Sequence, residues 1–195
     1  MLHKEAQTCV WAFFVGLCFM VVTLTQVLAA REARVRRQQE LLAAWPDATL
    51  LCLTVVFPGP VKRDERSVRV GEAGVAAVRE AFATAVLFKE IRDLPTGYEA
   101  FFVVDALPQE AKLRACAIED THPWGRLMDI DVLEYCHPEL VEGSVTQPLS
   151  RSVIGLPERR CLLCDRPARE CMRARTHTLA ELQARIDALL REECP

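Results

Sequence analysis

Gly125-Arg126-Leu127-Met128-Asp129-Ile130-Asp131-Val132 is the stretch on which the fold turns. Two acids alternate with apolar residues, and a strand sends successive side chains to opposite faces. Asp129 and Asp131 would therefore project together from one face, with Leu127, Ile130 and Val132 as the buried backing. Paired carboxylates on a rigid element are how Mg²⁺ is held for phosphoryl transfer. An edge strand with a solvated acidic face fits the same pattern. Asp disfavours strands, so two of them around Ile130 require a compensating reason.

Working outward, Leu50 to Phe57 is a near-continuous apolar run of strand length that Pro58-Gly59-Pro60 stops. Residues 66–85 predict a helix, with Val68, Val75, Val78 and Phe82 at helical spacing and Gly71 and Gly74 weakening its middle. Residues 85–91 and 98–104 predict two strands joined by the turn Pro95-Thr96-Gly97. A helix over 109–119 then leads into the acidic strand, Leu127 to Leu133. The order β, α, β, β, α, β predicts an α+β fold with a mixed or antiparallel sheet on the split βαβ, or ferredoxin-like, plan, two helices lying on one face. A helix precedes this core, and a Cys-rich connection follows it, with a last helix that Thr178 and Glu181 start as a capping box. A chain of 195 residues supports one well-buried core. It divides into a hydrophobic extension (1–20), an α+β catalytic domain (21–156) and a Cys-rich motif with C-terminal helix packed on that domain (157–195).

Residues 9–30 carry no charged side chain and are long enough to span a bilayer. As an anchor they would leave Arg31, Arg34, Arg36 and Arg37 on the cytoplasmic side. As a signal peptide they would end near Val27-Leu28-Ala29. The preferred reading starts the protein at Met20, with Thr25 N-capping an amphipathic helix through Leu28, Val35, Leu41 and Leu42. Nine cysteines, an odd number, include Cys52 and Cys116 in apolar runs. They read as small core residues of a cytoplasmic protein in a reducing compartment.

A net charge of -3 argues against a general nucleic-acid binder. Between Arg151 and Arg175, however, seven arginines outnumber three acids, which makes one end of the molecule an anion-receiving surface. Cys161, Cys164, Cys171 and His177 have the spacing C-x2-C-x6-C-x5-H, a complete tetrahedral set for structural Zn²⁺; packed reduced thiols are the alternative. A redox CxxC would sit at the start of a helix that follows a strand, and this one does not. Near the acid pair lie Glu119, Asp120 and His122, with Arg126 as either a salt-bridge partner or a phosphate clamp. The chain has no Walker loop, GxSxG elbow or HExxH.

Three segments carry a resemblance. They are Thr54-Val55-Val56-Phe57-Pro58-Gly59-Pro60-Val61-Lys62, His122 to Val132, and Pro157-Glu158-Arg159-Arg160-Cys161-Leu162-Leu163-Cys164 through Cys171 to His177. In this order they resemble the apo-citrate lyase phosphoribosyl-dephospho-CoA transferase family, from about Val21 to the C-terminal helix. The resemblance implies transfer from triphosphoribosyl-dephospho-CoA to a serine of the citrate lyase acyl-carrier (gamma) subunit, with release of diphosphate. It also implies Mg²⁺ on Asp129 and Asp131, phosphate binding by Lys62, Arg126, Arg159 and Arg160, and His122 or Glu119 as the base. The Asp-x-Asp strand also resembles that of polymerase-β-like nucleotidyltransferases, without the Gly-Ser pair those place about ten residues upstream. A third carboxylate is not evident, because Glu134 falls off the alternation. The competing class is a noncatalytic zinc-stabilised module that docks on an acyl-carrier protein.

Overall fold

The computed structural model describes residues 20–135 and 147–191; the readings of the first nineteen residues lie outside the described residues. Four strands, β1 (Thr49–Val55), β2 (Val86–Leu94), β3 (Gly97–Val104) and β4 (Met128–Leu133), form one antiparallel sheet in the order β2-β3-β1-β4. Helices α2 (Glu65–Phe82) and α3 (Pro108–Thr121) provide the crossovers, which completes the β-α-β-β-α-β order expected. Helix α1 (Leu24–Ala44) precedes this core, and α4 (Ala168–Ala174) and α5 (Leu179–Arg191) follow it. Among the described residues no helix is long and apolar enough to cross a membrane.

The sheet is buried on both faces, which is why β1 reads as a continuous apolar run. Leu51 and Leu53 join Val70, Val78 and Phe82 of α2, Ala111 and Ala115 of α3 and Ile186 of α5 in the main core. Leu50 and Cys52 point the other way, to a smaller cluster with Leu41 and Leu42 of α1 and Phe101 and Val103 of β3. Phe82, Phe101 and Phe102 are fully buried; each such side chain contributes ~1.5–3 kcal/mol by leaving water.

Several boundaries differ from expectation for local reasons. Thr23, not Thr25, caps α1, its side chain and that of Gln26 forming the reciprocal box. The predicted strand start at Leu127 instead lies in a 3-10 turn, Gly125–Leu127, so Met128 joins Ile130 and Val132 as the inward row. Gly125 permits that turn: a Cβ there would lie 2.5 Å from the carbonyl oxygen of Ile118. The glycines expected to weaken α2 are its close approach to the sheet, since a Cβ on Gly71 would lie 2.3 Å from the Tyr98 ring. The capping box of Thr178 and Glu181 forms at the start of α5.

Candidate functional site

Strand register arranges the face of the sheet beneath α1 in three rungs. Arg92, Glu99, Thr54 and Asp129 share the first; Glu90, Phe101, Cys52 and Asp131 share the second; Phe88, Val103, Leu50 and Leu133 share the third. The third rung is apolar and lies under Leu41 and Leu42. The first is polar, the second sets Glu90 and Asp131 at the ends of an apolar centre, Phe101 and Cys52, and charged residues of α1 meet both. Arg34 pairs with Glu99 at 3.1 Å and Arg37 with Glu90 at 2.7 Å. Asp129 and Asp131 thus project together, as the alternation required. They stand at the β4 end of a partly buried charged layer.

The layer also contains the acid that sequence reading did not find. Glu99 is 5 % exposed, and Thr54 is its register partner in β1 and that of Asp129 in β4. Burial pushes its carboxyl up despite the opposing pull of Arg34 and Arg92. Its signal was a lone charge inside an apolar strand. Asp131 is affected more strongly: burial, then the neighbouring Asp129, pushes it up to about 6, against the pull of Lys112 and Arg34. Burial likewise pushes the Cys52 thiol to about 12, so it remains a neutral core group.

Glu119 lies across the outer edge of β4, on α3. Its Oε1 accepts the Ile130 N–H at 2.8 Å, and its Oε2 accepts from Arg151 at 2.7 Å. Lys112 donates to the Ile130 carbonyl at 3.3 Å. The exposed ladder groups of an edge strand are thereby satisfied by side chains. His122 caps the C-terminus of α3; its Nδ1 accepts the Trp124 N–H at 3.0 Å, and burial holds its ring below the ordinary histidine range.

Two expected phosphate ligands form a reciprocal clasp. Arg159 donates through Nη2 to the carbonyls of Gly125, Arg126 and Met128, and its Nη1 lies 3.2 Å from Asp129 Oδ1. Arg126 donates through Nη2 to the carbonyls of Arg160 and Cys161. Each arginine thus binds the backbone of the other's segment. Arg126 Nε is buried and has no hydrogen-bond partner among the described residues. Arg160 is exposed and pairs with Asp165. Lys62 lies apart from this clasp, donating to the Phe57 carbonyl at 2.7 Å, with its ammonium pushed down by burial and by nearby Arg31.

Cys161, Cys164, Cys171 and His177 converge, all four donor atoms lying within 4.8 Å of one another. A short hairpin presents the first two: Cys161 N–H bonds the Arg166 carbonyl at 2.7 Å and Ala168 N–H the Arg159 carbonyl at 2.8 Å. Cys171 comes from α4, and His177 from the turn before α5. The backbone N–H of Arg166, then His177, brings the Cys164 thiol down to about 6. Three sulfurs and an imidazole suit a metal such as zinc, whereas Mg²⁺ takes oxygen donors.

A family model described as apo-citrate lyase phosphoribosyl-dephospho-CoA transferase matches residues 22–193. A Citrobacter koseri protein of that name is 37% identical over 174 residues, 88% of this chain and 90% of its own. One from Escherichia coli O1:K1, with the same name, is 37% identical over 175 residues, with the same two shares. A Streptococcus pyogenes serotype M18 protein named "Probable apo-citrate lyase phosphoribosyl-dephospho-CoA transferase" is 35% identical over 170 residues, 87% of this chain and 85% of its own.

Proposed function

The chain belongs to the apo-citrate lyase phosphoribosyl-dephospho-CoA transferase family, and from that premise we propose that it moves the phosphoribosyl-dephospho-CoA group of 2'-(5''-triphosphoribosyl)-3'-dephospho-CoA to a serine of the citrate lyase acyl-carrier (gamma) subunit. The serine oxygen attacks the phosphorus nearest the ribose, a phosphodiester forms, and diphosphate leaves. The observation that carries this reading is the pair Asp129 and Asp131 on one face of β4, held in register by pairing with Thr54 and Cys52 of β1.

The pair fits a divalent cation. Asp131 is pushed up to about 6 by burial and then by the charge of Asp129, and a cation held by the pair would relieve that repulsion. Held by Asp129 and Asp131, Mg²⁺ would supply positive charge to the phosphates. The protein's own groups hold and orient the donor. Arg159, already against Asp129, is the cation placed to meet the phosphates, with Arg126 locking the Arg159 segment through the Arg160 and Cys161 carbonyls and Lys62 and Arg160 as further cations. His122, kept neutral by burial, is the group for proton transfer. Glu119 serves by position, since one of its oxygens accepts the Ile130 N–H of β4 and the other the Arg151 guanidinium. The exposed Arg166, Arg169, Arg173 and Arg175 give the carrier subunit a basic surface to approach.

The deciding experiment is intact-mass spectrometry of the apo acyl-carrier subunit after incubation with this protein, the triphosphoribosyl donor and Mg²⁺. The expected result is a mass gain equal to the phosphoribosyl-dephospho-CoA group, abolished by EDTA and by Asp129→Asn. No gain on a carrier that an active synthase modifies would overturn the transferase reading in favour of a binding module.

A further inference from the structure

We propose that Cys161, Cys164, Cys171 and His177 bind one structural Zn²⁺, and that this ion holds Arg159 against Asp129. The inference deepens the transferase reading above by giving that site a second metal on which its geometry depends.

The first argument is geometric. Zinc–sulfur bonds of about 2.3 Å in a tetrahedron place sulfurs about 3.8 Å apart. Cys164 Sγ lies 3.5 Å from Cys171 Sγ and 3.4 Å from His177 Nε2, and all four donor atoms lie within 4.8 Å of one another, so small side-chain adjustments admit the ion. The hairpin bonds from Cys161 N–H to the Arg166 carbonyl and from Ala168 N–H to the Arg159 carbonyl fix the first two ligands as a knuckle.

The second argument is energetic. The ligands join three pieces: the hairpin, the seven-residue helix α4, and the turn into α5. Apart from Leu162, which packs on the main core, little apolar surface holds the hairpin and α4, and Cys171 is the one buried residue of α4. A helix this short does not persist by itself in water. Metal coordination is the ordinary replacement for a missing core in such a segment.

The third argument links the cluster to β4. Arg159 and Arg160 lie immediately before the ligand Cys161, and the clasp runs through them: Arg126 binds the carbonyls of Arg160 and Cys161, and Arg159 binds those of Gly125, Arg126 and Met128 as well as Asp129. Releasing the hairpin releases both halves of the clasp. The strand carrying the acid pair then loses its fixed start.

The test needs no substrate, so its outcome is separate from that of the transferase assay. Elemental analysis of the full chain purified without added zinc is expected to give one zinc per chain, lost in Cys164→Ser. Replacement by Co²⁺ is expected to give thiolate-to-cobalt charge-transfer absorption. A metal-free wild type, or full zinc in Cys164→Ser, overturns the site. Hydrogen exchange then tests the linkage: removing zinc by chelation is expected to speed amide exchange across residues 126–129, with Zn²⁺ but not Mg²⁺ restoring protection. Arg159→Ala, still zinc-loaded, is expected to show the same local loss, which guards against general unfolding on chelation. Unchanged protection at 126–129 in zinc-free protein, or in Arg159→Ala, overturns the linkage.

Discussion

Asp131 occupies a position where two demands conflict. Strand alternation turns it toward the α1 layer beside Asp129, while burial opposes its charge and pushes its carboxyl from 3.8 to about 6. A raised folded-state pKa means that the folded protein holds this proton more tightly than the unfolded chain. The contribution to stability is therefore largest at low pH and is lost as pH rises from about 4 to about 6. Asp131→Asn is expected to remove that slope and to stabilise the metal-free protein at pH 7 by up to about 3 kcal/mol, at 1.36 kcal/mol per unit. Denaturant unfolding across this pH range with EDTA present checks it. In the wild type, Mg²⁺ affinity measured by calorimetry is expected to weaken as pH falls through about 6, because the proton and the cation compete for Asp131. The acid pair was legible as residues because period-two alternation is a local property. Glu99 was not, since only strand register places it on the rung of Asp129.

At the scale of elements, α2 and β4 show how packing overrides propensity. Gly71→Ala improves the intrinsic helix preference of α2 by roughly 1 kcal/mol, yet its Cβ would lie 2.3 Å from the Tyr98 ring. The expected net effect is destabilisation by about 1–3 kcal/mol, the usual range for overpacking, measured by chemical denaturation. For β4 the prediction concerns Glu119, whose oxygens bind the Ile130 N–H and Arg151. Glu119→Ala breaks a buried pair and is expected to cost about 3 kcal/mol of stability. Glu119→Gln keeps an acceptor for Ile130 and is expected to recover most transfer activity. A base would instead lose kcat in the glutamine variant with stability intact, so parallel kinetics and unfolding curves separate the two roles. Helix α1 illustrates the limit of local reading. Arg34 and Arg37 carry a topological meaning only beside an anchor, and the structure gives them Glu99 and Glu90 as partners.

Across the whole molecule, charge is segregated: the formal total is -3, while the segment from Arg151 to Arg175 is arginine-rich. Arg166, Arg169, Arg173 and Arg175 are exposed around the Cys3His cluster. Arg169→Glu with Arg173→Glu is expected to raise the KM for the acyl-carrier subunit about tenfold or more, to leave that for the nucleotide donor less affected, and to flatten the salt dependence of the carrier KM. Steady-state kinetics with each substrate varied at two ionic strengths checks this. An equal rise in both KM values would place the arginines at the nucleotide instead.

The sequence by itself determined the element order, the acid pair, the metal-ligand spacing and the family, because periodicity, turn residues and motif spacing are written over short distances. The antiparallel order β2-β3-β1-β4 and the covering of its second face by α1 then decided the rest. They created the charged layer with Glu99 and Glu90, the edge function of Glu119 and the clasp between Arg126 and Arg159. Most of these join groups tens of residues apart, and the Glu119 contact joins a helix side chain to the backbone N–H of a strand eleven residues on. Register and packing, which depend on the whole chain closing at once, are what bring such groups within hydrogen-bond reach.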